Sequence, residues 1–588
     1  MSESNVPRSV ADPRRGLSRY MPILGSLRGY DRQNAKGDLA AGLTTAVMLI
    51  PQGMAYAMLA GLPPIYGLYA SLLPLVVYAL FGTSRQLAVG PVAMVSLLVA
   101  AGVSQLAPTG SSAYVTYAIL LALMVGVLQL GMGLFRLGFV VNFLSHPVIS
   151  GFTSAAAIII GLSQLKEVLG FKIPRSHHVH EIILQAAAGI HQTHLITLAI
   201  ALGSIAALVA MKRYAPAFPR ALVVVVASTL IVWGFGLHDH GVAIVGDVPA
   251  GLPSLSLPAL DWSAAKQLVG VAMAIALVGF MESIAVAKKY ARDNKYDVDA
   301  NKELVGLGLA NVVGAFAGSY PVTGGFSRTA VNAQAGARTS LAGVVTAAIV
   351  ALALIAFTPL FHFLPKAVLA AIIMTAVFGL IDVAEVKHLW KVKRRDLAML
   401  GLTFAVTLGV GIEPGIITGV VASLALLVWS STRPHVAVLG RLPETTAYRN
   451  VERYPDAITS PGVLVLRLDA QVYYGNVAFL KETLDQVEQR DMHCVVLDAC
   501  GINQLDASGE AAFREILDGY RARGIDLYLA NVKGPVRDVF ARSGFAEDLG
   551  PEHFFLSVDD AVKRATGQSE APVRGGLSDR APEFRRAS

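Results

Sequence analysis

Between Leu39 and Leu165 the only Asp, Glu, Lys or Arg side chains are Arg85 and Arg136. No water-exposed surface can be built from such a stretch, so it must lie in lipid or pack within protein that does. Composition shows how far this extends. The 588-residue chain is 15% charged, against about 25% for an ordinary soluble domain, and 42 of its 89 charged side chains follow Thr432. A large cytosolic enzyme is excluded and no catalytic activity is expected. The chain reads as a polar N-terminal tail over residues 1–36, a transmembrane domain over 37–432 and a soluble remainder.

The tail, rich in Ser, Pro and Arg, lacks the apolar core of a cleaved signal peptide. Its cations, like most of the net charge of +7, set membrane orientation and imply no nucleic acid. Cys494 and Cys500 lie in the soluble part, have no metal-ligand spacing and demand no oxidising compartment. His177, His178 and His180 share a loop without the partners that would complete a metal site. No cofactor or metal is expected. The absence of a Walker loop leaves direct ATP drive unsupported.

Twelve apolar runs of spanning character occur, from Leu39 to Ala60 through Ile416 to Trp429. Two more are interrupted: Gln86 to Leu106 at Gly90-Pro91, and Tyr320 to Gln334 at Gly324-Gly325. Counting both as crossings gives about fourteen segments. Arg85, Arg136, Lys212, Arg213, Lys288, Lys289, Arg338 and the run Lys387 to Arg395 then fall on the side of the N-terminal tail. The loops Pro108 to Ala113 and His238 to Trp262, on the other side, carry no Lys or Arg. Both termini are therefore expected in the cytoplasm; Lys166, Lys172 and Arg175 are the exceptions. After Trp429, apolar runs at Val463 to Leu468, Cys494 to Leu497 and Ile525 to Ala530 alternate with helical patterns at Asn476 to Gln489 and Ser508 to Arg523, which reads as an α/β domain. The polar end, 567–588, is expected to be disordered.

The run Ile50-Pro-Gln-Gly-Met-Ala-Tyr-Ala-Met-Leu-Ala-Gly-Leu-Pro-Pro-Ile-Tyr-Gly-Leu-Tyr69 resembles the signature of the SulP anion-transporter family. Phe81-Gly-Thr-Ser-Arg85, Gly90-Pro-Val-Ala93, Asn142 to Phe152 and Gly325-Phe-Ser-Arg-Thr-Ala-Val-Asn332 match as well. Residues 445–566 resemble a STAS domain, the fold of anti-sigma-factor antagonists. The resemblance implies two inverted repeats of seven segments, a core domain that carries substrate, and a gate domain that forms a homodimer. It also implies that each broken segment is a short strand followed by a half-helix. Such half-helices aim free N–H groups and a positive dipole end at one place, which suits an anion.

By that match Gln52, Tyr56, Val92, Ala93, Phe326, Ser327 and Arg328 line a substrate pocket. Arg328 in a membrane segment costs at least about 2.5–3.5 kcal/mol unless compensated; a bound anion compensates it, and a snorkelling side chain is the alternative. Glu282 is the only acidic residue between Asp261 and Asp293. An intramembrane carboxylate points to proton coupling, and the Glu282 to Ala285 stretch is similar to that of proton-coupled plant sulfate transporters; a fixed Glu–Arg pair is the alternative. Ser508 in Leu505-Asp-Ala-Ser-Gly509 matches the phosphorylated serine of STAS antagonists, with helix capping as the simpler role. The function expected is proton-coupled sulfate symport by elevator-like alternating access across the plasma (inner) membrane. Bicarbonate or dicarboxylate transport, anion exchange, and an anion sensor signalling to a cytoplasmic partner through the STAS domain are the alternatives.

Overall fold

The computed structural model describes residues 21–27, 29–139, 145–173, 179–215, 219–488 and 491–568. Residues 1–20, Arg28, Asn142 to Leu144, Arg175, His177, His178 and the C-terminal segment 569–588 lie outside the described residues, so the expectations placed on them are not addressed. The chain divides into two compact units, Met1–Ser423 and Leu424–Ser588.

The first unit is helical. In chain order its crossings are α1 (Arg32–Leu59), α2 (Leu73–Phe81, led by the turn Ile65–Tyr69), β1 (Val89–Gly90) with α3 (Ala93–Val103), α4 (Ser112–Leu134), α5 (His146–Ser163), α6 (Leu195–Tyr214) and α7 (Arg220–Gly234). The second set is α8 (Trp262–Asp293), α9 (Ala300–Phe316), β2 (Thr323–Gly324) with α10 (Phe326–Gln334), α11 (Leu341–Leu352), α12 (Lys366–Val377), α13 (Arg394–Gly409) and α14 (Ile412–Thr432), the last running on into the second unit. Among the described residues eight helical stretches, short 3-10 and π turns included, are long and apolar enough to cross a membrane; one of them, Lys366–Val392, takes in α12 and the short helix that follows it. The others are short, and two of them, α3 and α10, are each preceded by a strand.

Packing repeats with an offset of seven segments. Helix α8 lies against α3 and α4, while α1 lies against α10 and α11; α5 packs on α13, while α6 packs on α12. Segments 1–4 and 8–11 therefore form one group, and 5–7 with 12–14 another. The interior of the first group is largely apolar: Leu49, Met54, Val95, Leu98, Phe280, Leu304 and Leu307 are all buried. Two buried carboxylates tie its loops. Asp38 accepts the backbone N–H groups of Arg338 and Thr339 at 2.7 and 2.9 Å and the Thr339 hydroxyl. Glu303 accepts Tyr78 Oη at 2.6 Å and the N–H groups of Thr83 and Ser84 at 2.6 and 3.0 Å. Each carboxylate is almost fully enclosed and its charge is met by several donors, as burial demands.

The second unit holds a six-stranded sheet of order β4-β3-β5-β6-β7-β8. Its strands are β3 (Val436–Arg441), β4 (Tyr448–Asn450), β5 (Val463–Leu468), β6 (Cys494–Asp498), β7 (Asp526–Ala530) and β8 (Phe554–Phe555). Strands β5 to β8 are parallel and β3 is antiparallel to both neighbours. Runs such as Val463-Leu-Val-Leu are apolar on both sides because helices cover both faces. Helices α15 (Val477–Val487), α16 (Ala507–Ala522) and α17 (Gly534–Arg542) bury one face, and α18 (Val558–Ala565) the other. Burial also pushes the Cys494 thiol up to about 12, so it is a packing residue at neutral pH.

Each unit has its own core, and neither core borrows from the other. A chain ending at Thr432 is expected to run as a monodisperse species in detergent with a cooperative thermal transition, and residues 433–568 alone to give a soluble α/β domain. Aggregation of either piece, in size-exclusion chromatography, would refute their independence.

Candidate functional site

The two broken segments meet. β1 and β2 pair antiparallel, Val89 opposite Gly324 and Gly90 opposite Thr323, and the ribbon is extended by the Gly325 N–H donating to Ala88 O at 3.1 Å. Antiparallel pairing sends α3 and α10 away from the ribbon in opposite directions, so their N-termini converge on it. Neither helix has a side-chain N-cap, and free N–H groups remain there. Gly90 adopts φ +154°, a backbone state closed to other residues.

The ribbon is held from outside. Ser283 on α8 donates to or accepts from Thr323 Oγ1 at 2.7 Å and accepts the Gly324 N–H at 2.8 Å. Thr323 Oγ1 donates to Gly279 O at 2.6 Å. Asn311 on α9 clasps Val322 through both its backbone groups and is itself held by Gln129 of α4. On the other side Ala88 N–H donates to Thr329 Oγ1 at 3.1 Å, and Asn332 donates to Gln86 O at 2.8 Å.

Arg328 is the third residue of α10 and is 1% exposed. Its Nη1 donates to Pro91 O across the ribbon. Among the described residues Nε and Nη2 have no partner. A Cβ at Gly325 would stand 2.9 Å from Arg328 Nη2 and 3.2 Å from Val92 Cγ1, so the absent side chain is what lets the guanidinium lie over the start of both helices. A cation at a helix N-terminus opposes the dipole. Here one guanidinium sits at two such termini, and positive charge accumulates without an equal counter-charge.

Glu282 of α8 is the neighbouring negative group. It is half-buried and lies within electrostatic reach of Arg328, near the start of α10. Among the described residues the two form no ion pair within 4.0 Å. The helix begins at Trp262 rather than near Leu268, which places Glu282 about 30 Å along it. Gln52 and Tyr56, 3% and 4% exposed, are joined by a bond of 3.1 Å from Gln52 Nε2 to Tyr56 Oη. Gln52 Oε1 is unpartnered, and Tyr56 faces both Arg328 and Glu282.

Of the residues expected from sequence, Gln52, Tyr56, Val92, Glu282 and Arg328 are thus brought together, with buried Ala93 opening α3. Phe326 and Ser327 are exposed, and Lys289 lies 5.1 Å from the Phe326 ring centroid. Sequence reading did not find Pro91 O, Ser283, Thr323, or the buried pair Tyr320 and Ser96, joined at 3.1 Å. Ser508 is exposed in the first turn of α16, whose cap is Asp506, accepting the Gly509 N–H at 2.7 Å. His180 falls on a separate short helix, Val179–Ala188.

Gly325→Ala is expected to displace the guanidinium and lower sulfate affinity about tenfold, the loss of one charge-assisted hydrogen bond, with the thermal transition of the empty protein little changed. Isothermal titration with sulfate reads the effect; unchanged affinity would mean that Arg328 does not meet the anion here.

A helical membrane unit with paired strand–half-helix segments, followed by a STAS-type sheet, defines a class of anion-transport proteins. The sulfate permease family matches over residues 35–403 and the STAS domain over 454–561. "Sulfate transporter 4.1, chloroplastic" of Arabidopsis thaliana is 42% identical over 90% of this chain and 80% of its own length. "High affinity sulfate transporter 2" of Stylosanthes hamata is 36% identical over 93% and 86%. The murine Solute Carrier 26 family member A9 anion transporter in the inward-facing state superposes with a TM-score of 0.86 at 27% identity, covering 96% of each chain. The transmembrane domain of a cyanobacterium bicarbonate transporter, BicA, gives 0.58 at 26% identity over 67% of this chain and 98% of that one. The chain belongs to the sulfate permease family and is a multi-pass membrane protein with a C-terminal STAS domain.

Proposed function

We propose that the protein is a secondary transporter of a small inorganic oxyanion, sulfate first among them, coupled to protons. The observation that carries this is Arg328: a buried guanidinium at two half-helix N-termini, with two nitrogens lacking partners. An oxyanion between the termini supplies acceptors for those nitrogens and for the free N–H groups, and offsets the cost of the buried cation. The names of the plant relatives, all sulfate transporters, support sulfate among oxyanions.

Glu282 provides the coupling. As a carboxylate beside the start of α10 it opposes an incoming anion; after taking a proton it no longer does. Loading a proton and an anion together is therefore favoured over either alone. Because Gln52, Tyr56, Val92, Glu282 and Arg328 all lie on segments 1–4 and 8–11, that group carries the anion as a unit against the other helices, an elevator-like alternation. The loop charges support a cytoplasmic location for both termini, in a plasma (inner) membrane. A homodimer formed by the gate group is the assembly the resemblance supports. Ser508, exposed at a helix N-terminus, is open to phosphorylation by a cytoplasmic partner.

The test is uptake of radiolabelled sulfate into proteoliposomes with and without an inward proton gradient, competed by unlabelled bicarbonate, dicarboxylates and chloride. Gradient-driven accumulation blocked by unlabelled sulfate is expected. Binding without uptake would favour a sensor, and stronger competition by bicarbonate would reassign the substrate.

A further inference from the structure

Between α12 and α13 lies the ten-residue helix Val383–Val392, too short to cross a membrane. Val383, Val386 and Trp390 are 56%, 38% and 63% exposed, and their spacing places them in one stripe. Beside the stripe the helix is held to the protein: Leu389 is buried, and Glu385 meets His146 on α5 at 3.1 Å; Val392, on the far side, is 66% exposed. Lys387 and Lys391 border the stripe, and Lys393, Arg394 and Arg395 follow it. Arg394 stands 5.8 Å from the Trp390 ring centroid. Among the described residues Lys387, Lys391, Arg394 and Arg395 form no ion pair; Lys393 meets Asp396 at 3.9 Å.

Both ends of this helix join membrane-crossing helices within a few residues, so the exposed stripe stays at the bilayer boundary. An apolar stripe with an aromatic ring, bordered by unpaired cations, fits acyl chains on one side and anionic headgroups on the other. The corresponding place in the first repeat, between α5 and α6, offers a comparison. There the helix Val179–Ala188 also exposes apolar side chains, Ile183 and Leu184, but carries no Lys or Arg. An odd number of crossings puts it on the opposite membrane face. The two positions share the interfacial geometry; the second alone has cations within the helix itself, while in the first Lys166 and Lys172 lie upstream of it.

We propose that Val383–Val392, with Lys393 to Arg395, is a site for anionic phospholipid headgroups that anchors the second helix group to the cytoplasmic leaflet. It does not depend on which anion the protein carries. The full-length protein in detergent is titrated with phosphatidylglycerol or phosphatidylcholine bearing brominated acyl chains. The fluorescence quenching lost in Trp390→Phe reports contact at this helix. Phosphatidylglycerol should quench at lower concentration than phosphatidylcholine. Lys387→Ser with Lys391→Ser should raise its half-point about fivefold for each lysine removed, whereas Lys212→Ser with Arg213→Ser, at the end of α6, should leave it unchanged. Equal quenching by the two lipids, a preference surviving the Lys387/Lys391 change, or quenching by neither lipid would overturn the proposal.

Discussion

Replacing Arg328 by alanine should lower sulfate affinity by about a hundredfold or more, because two charge-assisted donors leave the site together. Arg328→Glu should abolish binding, since it puts a carboxylate where the anion belongs. The stability of the empty protein should move the other way. A buried guanidinium with two unsatisfied nitrogens at two positive helix ends is unfavourable, so its removal should leave the sulfate-free thermal transition unchanged or raise it. Added sulfate should stabilise the parent protein and not the variants. Thermal unfolding with and without sulfate measures both effects. If Arg328→Ala binds sulfate normally, the anion lies elsewhere. If it instead loses about 3–5 kcal/mol without ligand, the arginine is half of a structural pair.

Glu282→Gln separates coupling from architecture. The amide keeps the shape and the hydrogen-bonding capacity of the side chain, but can no longer exchange a proton. The variant should fold, bind sulfate and exchange it across the membrane, while an inward proton gradient no longer drives accumulation above the level reached without one. A structural Glu282–Arg328 pair predicts a different outcome, with folding and binding lost together. The paired measurement is thermal stability with sulfate present and uptake with and without the gradient. A stable, binding-competent variant that still accumulates sulfate under the gradient would exclude Glu282 as the coupling residue.

Much of the candidate site was legible as isolated signals. Arg328 and Glu282 stand out because a charge in an apolar segment needs a reason, and Gly90-Pro91 and Gly324-Gly325 because they interrupt otherwise continuous runs. The surrounding support was not legible. Ser283, Asn311 and Gln129 are ordinary polar residues in apolar helices and Thr323 one in a short strand, and only their mutual bonds show that they hold one ribbon. The same holds for Asp38 and Glu303, which the fold encloses among donors from a distant loop. Phe326 and Ser327, which the family match grouped with Arg328, are exposed in the first turn of α10 while Arg328 is enclosed, since successive residues on a helix point about 100° apart.

Hydropathy, loop charge and motif order are local properties of the chain. They determined the membrane part, the two broken segments, the family and the alternating strands and helices of the soluble part. Strand β3, Val436–Arg441, escaped them: it lies upstream of residue 445, and its place in the sheet comes from pairing with β4 and β5. What only the tertiary structure decided is which distant segments touch. Arg328 meets Pro91 O across 237 positions, and Val89 pairs with Gly324. Such contacts follow from the closure of two repeats upon each other. The free energy that enforces them is shared among helix packing and buried hydrogen bonds, so no short stretch of sequence displays them.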